Sequence, residues 1–183
     1  MRDLSQHILD LAQNSMTAGA TLVIIRLCIE ESGTLGMTIA DNGRGMSEAV
    51  LHHAADPFVT TKQGRRIGLG LSLMQANAER AGGSMQVQST EGAGTTLTVT
   101  MNRNHIDCLP LGDLEGTLLA LSFANPSAEI RFEGSTAKGA CVYDTRKVKQ
   151  KSQEQNTSAA RLMAAMQQEL HQSLNSIFGG GTT

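Results

Sequence analysis

Tryptophan is absent from the chain, and phenylalanine and tyrosine together supply only 3% of its 183 residues. The core must therefore be aliphatic, and an aromatic platform for stacking nucleic-acid bases is excluded as the main business. A basic excess is also missing: 15 Lys and Arg face 17 Asp and Glu, for a formal net charge of -2. That balance leaves no electrostatic footprint for DNA or RNA. The cysteines, Cys28, Cys108 and Cys141, are odd in number, widely spaced and outside any CxxC. They read as small apolar residues of a reduced, cytoplasmic protein rather than metal ligands or a disulfide framework. No apolar run approaches the ~18 residues of a membrane span, and no leader is expected ahead of the first helical pattern. Internal repeats are lacking. The hydrophobic fraction of 40% suffices for one sizeable core with a small appendage.

What is present centres on Asp41-Asn42-Gly43-Arg44-Gly45-Met46, which follows the alternating apolar residues Leu35, Met37 and Ile39. The pattern reads as a glycine loop hung on the end of a strand. Two nearby glycines let the backbone turn sharply and approach a flat or anionic ligand. A carboxylate only accepts hydrogen bonds and suits a ligand that offers an amino group, such as adenine. An ordinary hairpin turn fits the same residues.

Along the chain, residues 3–18 read as a helix with Leu4, Ile8, Leu11 and Ser15 on one stripe, stopped by Gly19. Asp10 and Asn14 stand one above the other beside that stripe, with His7 near the same edge. They fit a solvated helix edge, or a pair able to hold a hydrated Mg²⁺. Residues 21–30 and 34–40 read as strands joined by a turn at Glu31-Ser32-Gly33. Ser47 is placed to cap a short helix through Ala55, in which His52 and His53 read as surface or packing residues. Asp56-Pro57-Phe58-Val59-Thr60-Thr61-Lys62 opens a loop, continued by Gln63-Gly64-Arg65-Arg66. Gly68-Leu69-Gly70-Leu71-Ser72 then leads into a helix through Ala81, ended by Gly82-Gly83. Free N–H groups and the helix dipole make such a glycine-flanked N-terminus an anion site, which Lys62, Arg65 and Arg66 are placed to close. A plain glycine-rich connection with solvated arginines fits as well. Residues 84–89 and 95–101 read as a hairpin around Glu91-Gly92-Ala93-Gly94, with its second strand a half-buried edge.

The order of these segments is more specific than any one of them. Asp-x-x-x-Asn on a helix, DNGRGM, DPFVTTK, GLGLS and a GAGTT hairpin together resemble the ATP-binding domain shared by gyrase, the heat-shock-90 chaperones, histidine kinases and mismatch-repair ATPases. The likeness covers residues 3–101. GLGLSLMQANAERAGGSMQVQSTEGAGTTLTV is most similar to a sensor histidine kinase catalytic domain. The resemblance implies an α+β fold of the Bergerat type: a two-layer α/β sandwich with a mixed, mainly antiparallel sheet and helices on one face. It implies ATP and Mg²⁺ as cofactors. Asn14 would ligate Mg²⁺, Asp41 would accept from the adenine amino group, and Gly43 and Gly45 would give the ring room. Phe58 to Ile67 would form a lid, with Lys62 or Arg66 near the phosphates. Gly68, Gly70 and Leu71 would offer backbone N–H groups, and Thr95 would help fix the adenine. Met46, Thr61 and Leu69 complete the implied cofactor-binding set. Asp10 stands where hydrolysing members carry a glutamate base, so a shorter carboxylate is the candidate base. Only thirteen residues precede Asn14, so the phosphoacceptor hairpin of a complete kinase is expected to be absent.

Beyond residue 101, Asp113 is placed to cap a leucine-rich helix through Phe123. Residues 128–133 and 139–143 alternate around Gly134-Ser135-Thr136 as a strand pair. HID…PLGD is similar to an extension of small stand-alone ATP-binding proteins of histidine-kinase type. His105, Asp107 and Asp113 fit either a metal site or ordinary loop and cap positions. Residues 144–158 are polar and basic, a linker or solvated helix. Leu162, Met166, Leu170, Leu174 and Ile177 form one apolar stripe, suited to docking on the core, to self-association as a homodimer, or to another partner. Residues 179–183 are expected to be disordered.

The expected organisation is an ATP-binding domain over 1–101, an αββ extension over 102–150 packed on it, and a C-terminal helix and tail over 151–183. The expected function is a histidine-kinase-like module that phosphorylates or regulates a separate protein partner. The alternatives are a non-catalytic, anti-sigma-like ATP-sensing switch and a slow ATPase.

Overall fold

The computed structural model describes residues 1–53, 69–125, 127–154 and 157–178. Helix α1 (Leu4–Thr17) is followed by strands β1 (Leu22–Ile29) and β2 (Thr34–Asp41), then helices α2 (Glu48–His53) and α3 (Leu69–Arg80). Strands β3 (Ser84–Thr90) and β4 (Gly94–Asn102) come next, then α4 (Leu114–Ala124), β5 (Glu129–Thr136), β6 (Gly139–Asp144), α5 (Thr145–Glu154) and α6 (Ala159–Phe178). The strands form one six-stranded sheet in the order β3-β4-β2-β1-β5-β6. Its neighbours are antiparallel except β1 and β5, which run parallel. This is the mixed, mainly antiparallel α+β architecture expected, with helices layered on one face.

Period-two alternation builds the core. Val23, Ile25 and Leu27 of β1 are buried beside Leu35, Met37 and Ile39 of β2 and Leu97, Val99 and Met101 of β4. Leu4, Ile8 and Leu11 of α1, Met74 and Ala78 of α3, and Leu114, Leu118 and Leu121 of α4 close over them in one cluster. The intervening residues Arg26, Thr38 and Thr98 point to the opposite face, aligned across β1, β2 and β4. β4 lies between β3 and β2, so the expectation that its threonines mark an edge is corrected; β3 is the edge strand on that side. Half-exposed threonines occur there because the helices cover one face only.

The chain beyond residue 101 joins the same sheet. β5 adds to β1, with Val23 beside Ile130 and Leu27 beside Gly134. β5 continues through Thr136, so the turn to β6 falls at Ala137-Lys138 rather than at Gly134-Ser135-Thr136. Residues 145–154 are helical, and Val148 enters the core. On α6, Met166, Leu170, Leu174 and Ile177 are buried and Leu162 is half-buried, so its apolar stripe docks on the molecule. Asp113 caps α4 by accepting from the Gly116 N–H at 2.8 Å.

α1 is pinned at both ends. Asp3 Oδ1 accepts from the Gln6 N–H at 2.9 Å, satisfying one free donor of the first turn. The Leu4 and Ser5 N–H groups donate to the carbonyls of Pro110 and Leu111, at 2.9 and 3.0 Å. At the other end Gly19, with φ +83, follows the cap residue Ala18. This fixed helix carries the residues of the candidate site.

Candidate functional site

The apolar inner face of the sheet ends in a polar row. Asp41 at the end of β2 pairs with Thr95 of β4, which pairs with Ser89 of β3. α1 lies over this end of β2, and its Ser15 reaches down. Ser15 Oγ donates to Asp41 Oδ2 at 2.7 Å, while the Gly43 N–H donates to Oδ1 at 2.8 Å. Two donors hold the half-buried carboxylate in one orientation, and each oxygen keeps a lone pair to accept a further donor. Beside it, Met46 N–H donates to Ser89 Oγ at 2.8 Å, and Ser89 Oγ donates to the Gly94 carbonyl at 3.0 Å. Thr95 Oγ1 lies 2.9 Å from Ser89 Oγ, tying both strands to the loop.

The loop after Asp41 is held just as tightly. Asn42 Oδ1 accepts from the N–H groups of Thr21 and Leu22, both at 2.9 Å. Arg44 N–H donates to the Ala18 carbonyl at 3.0 Å, and the Arg44 carbonyl accepts from Gly92 N–H at 2.7 Å. Glycine is required where backbones touch. Gly45 has φ +63, and a Cβ there would overlap the Thr90 carbonyl. Gly94 has φ +112, and its Cβ would overlap the Asp41 carbonyl. Gly43 is buried and would crowd Asp41 Oδ1 itself. A pinned loop with no side-chain bulk beside a fixed carboxylate suits a flat ligand.

About a turn and a half back along α1 from Ser15, Asp10 lies against Gly70 in the first turn of α3, and Asn14 stands one turn on from Asp10. Asn14 is exposed, and its Nδ2 lies 3.5 Å from Asp10 Oδ2, a long contact. Asp10 Oδ2 is packed so closely on Gly70 that a Cβ there would overlap it. Burial pushes the Asp10 carboxyl above its ordinary value of 3.8, opposed by the Asn14 hydrogen bond. A carboxylate whose pKa is raised by partial desolvation is a stronger base than one in water.

Of the expected site residues, the structure gathers Asp41, Gly43, Gly45, Met46 and Thr95 at the end of the sheet, with Asp10 and Gly70 on the adjoining α1–α3 contact and Asn14 exposed one turn from Asp10. Leu69 and Leu71 lie in the first turn of α3. Phe58, Thr61, Lys62, Arg66 and Gly68 fall outside the described residues. Sequence reasoning missed Ser15 and Ser89. In the sequence Ser15 falls on an apolar stripe; a serine among leucines is itself the signal, since a buried hydroxyl needs a partner. His7, expected at a solvated edge, is fully buried. Its position three before Asp10 places it against α3 rather than water.

Residues 1–105 match the family described as histidine kinase-, DNA gyrase B-, and HSP90-like ATPase. More than half of the chain is covered, and the chain belongs to that family. Its relatives include kinases, among them sensor histidine kinases. It is 33% identical over 102 residues to the sensor histidine kinase ZraS of Escherichia coli (strain K12), covering 55% of this chain and 22% of that protein. It is 34% identical over 101 residues to sporulation kinase D of Bacillus subtilis (strain 168), covering 54% of this chain and 19% of that protein. The chain therefore spans about a fifth of the length of these relatives. A crystal structure of the N-terminal domain of a DNA repair protein shares the fold over 100% of this chain and 58% of its own, with a TM-score of 0.54 and 17% identity.

Proposed function

We propose that the chain binds Mg·ATP between Asp41, α1 and the first turn of α3, and that it serves as a histidine-kinase-like catalytic module acting on a separate protein partner. The observation that carries this reading is the Asp41 carboxylate, oriented by Ser15 and Gly43 beside the closely packed glycines Gly43, Gly45 and Gly94. The residues present fit the nucleotide. Asp41 and Thr95 would hold the adenine, Asn14 would hold Mg²⁺, and the Gly70 and Leu71 N–H groups would meet the phosphates. Bound Mg·ATP supplies the γ-phosphoryl group. The protein's contribution is positioning and charge neutralisation, as in phosphoryl transfer generally. A charge-assisted hydrogen bond to Asp41 is worth about 1.5–3 kcal/mol, so Asp41→Asn is expected to weaken ATP binding roughly 10–150-fold. Transfer of label from γ-³²P-ATP to a protein in native lysate, abolished by Asp41→Asn, supports the kinase reading. Tight ATP binding with no transfer contradicts it.

A second reading, an ATP-sensing switch, is favoured by the bonds from residues 110–111 to the first turn of α1. Whatever grips the extension is thereby coupled to the helix that carries Ser15 and Asn14. This reading predicts nucleotide-dependent complex formation without turnover. Slow hydrolysis with Asp10 as base is the third. Asp10→Asn is expected to abolish it, and unchanged hydrolysis in that variant removes Asp10 from the chemistry.

A further inference from the structure

Behind the candidate site, α1 and α3 meet a second time through a polar chain that nothing above uses. Arg80 Nη2 donates to Asn77 Oδ1, and Asn77 Nδ2 lies 3.0 Å from His7 Nε2. Arg80 is exposed, Asn77 is 7% exposed and His7 is 0% exposed, so the chain runs from solvent into the core. Its proton assignments follow in sequence. A guanidinium only donates, so Asn77 presents its oxygen to Arg80 and its nitrogen to His7. That nitrogen also only donates, so His7 Nε2 accepts and carries no proton. The imidazole is neutral, with its proton on Nδ1, which is buried with no partner among the described residues. Burial independently holds the imidazole in this form, lowering its pKa to about 4.

The place of this contact gives it a role. His7 is one turn before Asp10 on α1, and Asn77 is two turns after Gly70 on α3. Beside their shared apolar packing, the helices therefore meet at two points, the His7–Asn77 hydrogen bond and the close approach of Asp10 Oδ2 to Gly70. One point leaves α3 free to pivot; two fix its rotation. Leaving a buried N–H unsatisfied is costly, and an apolar side chain at position 7 would avoid that cost. A histidine at this position is better explained by the orientation it imposes than by packing.

We propose that His7 is a positioning residue: held in a single tautomer by Arg80 and Asn77, it sets the docking of α3 on α1, and so the placement of the α3 first turn relative to Asp10 and Asn14. The assignment of that turn to the phosphates rests on the nucleotide reading above. The consequence is selective. Altering His7 disturbs the phosphate end of the site and leaves the Asp41 end, held by Ser15 and Gly43, intact.

The test compares affinities for ATP and for adenosine in wild type, His7→Leu, His7→Gln and Arg80→Ala. Loss of one such orienting contact is expected to weaken ATP binding about tenfold in His7→Leu while adenosine affinity stays unchanged. Glutamine offers a carboxamide oxygen to Asn77 and is expected to recover most of the loss. Arg80→Ala, a surface change that spares the core, is expected to shift ATP affinity in the same direction by about threefold. A parallel fall in ATP and adenosine affinity, or no change in any folded variant, overturns the proposal. Long-range ¹H–¹⁵N spectra of the His7 ring test the tautomer without nucleotide. A neutral ring protonated on Nδ1 at pH 7 is expected, and an imidazolium or a proton on Nε2 overturns the proposal. Failure of wild type to bind either ATP or adenosine, with the expected tautomer present, overturns the nucleotide reading and with it the link from His7 to phosphates.

Discussion

Ser15 occupies a position where a leucine would complete the stripe of α1, yet its hydroxyl holds the Asp41 carboxylate at 2.7 Å. Ser15→Ala removes that donor and little else. A single hydrogen bond to a charged group suggests a roughly 5–50-fold loss of ATP affinity. The melting temperature is expected to change little, because Asp41 keeps the Gly43 N–H. Calorimetry and a melting curve on one variant separate the two effects. His7 makes a prediction about acid. Its pKa is 6.5 unfolded and about 4 folded, so the unfolded state binds the extra proton between those values. Stability present above pH 6.5 is lost as pH falls toward 4, by about 3 kcal/mol in all. Asp144 acts lower. It is 2% exposed, and Arg146 beside it holds its carboxyl below 3.8, so its contribution survives until the pH drops through that lowered value. Urea titrations of wild type and His7→Gln at pH 7 and pH 5 check the first window; an equal loss in both sinks it. At this scale the strand-end place of Asp41 and the glycine turn at Gly43 and Gly45 were legible because turn chemistry is local. Ser15 and His7 were not, since their partners lie 26 and 70 residues away in sequence.

At the scale of elements, the close approaches are where single methyl groups matter. Gly70→Ala would drive a Cβ into Asp10 Oδ2, moving the carboxylate or the start of α3. It is expected to impair ATP binding while the sheet, untouched by the change, stays folded; circular dichroism and calorimetry on the variant report both. α6 offers the opposite case. Leu170 is fully buried far from Asp41, and Leu170→Ala is expected to cost about 2–5 kcal/mol with ATP affinity unchanged. Element types followed from periodicity and boundaries from caps, as with Asp3, Gly19 and Asp113. The place of β4 inside the sheet did not, because alternation tells which face is buried and says nothing of lateral neighbours. Nor did alternation fix the β5–β6 turn, since Gly134 packs against Ile177 within a strand rather than marking a bend.

For the whole molecule, the family match stops at residue 105 while the sheet does not. β5 covers the edge of β1, and α4 packs on α1. A fragment of residues 1–105 would expose the whole β1 edge and the face of α1 under Leu114 and Leu118. Exposed, flat apolar edges associate. The fragment is therefore expected to melt lower than the full chain or to aggregate; an equal melting temperature for monomeric fragment would show the two parts to be independent. Sequence alone could not reveal the parallel β1–β5 pairing, which joins residues more than a hundred positions apart.

The central claim is that Asp41, fixed by Ser15 and Gly43, reads an adenine nucleotide. Titration calorimetry with ATP, with and without Mg²⁺, on wild type and Asp41→Asn tests it most directly. The account predicts saturable, Mg²⁺-enhanced binding to wild type that weakens at least about tenfold in the variant. Equal affinity in the two proteins, or no binding to wild type at all, would contradict it.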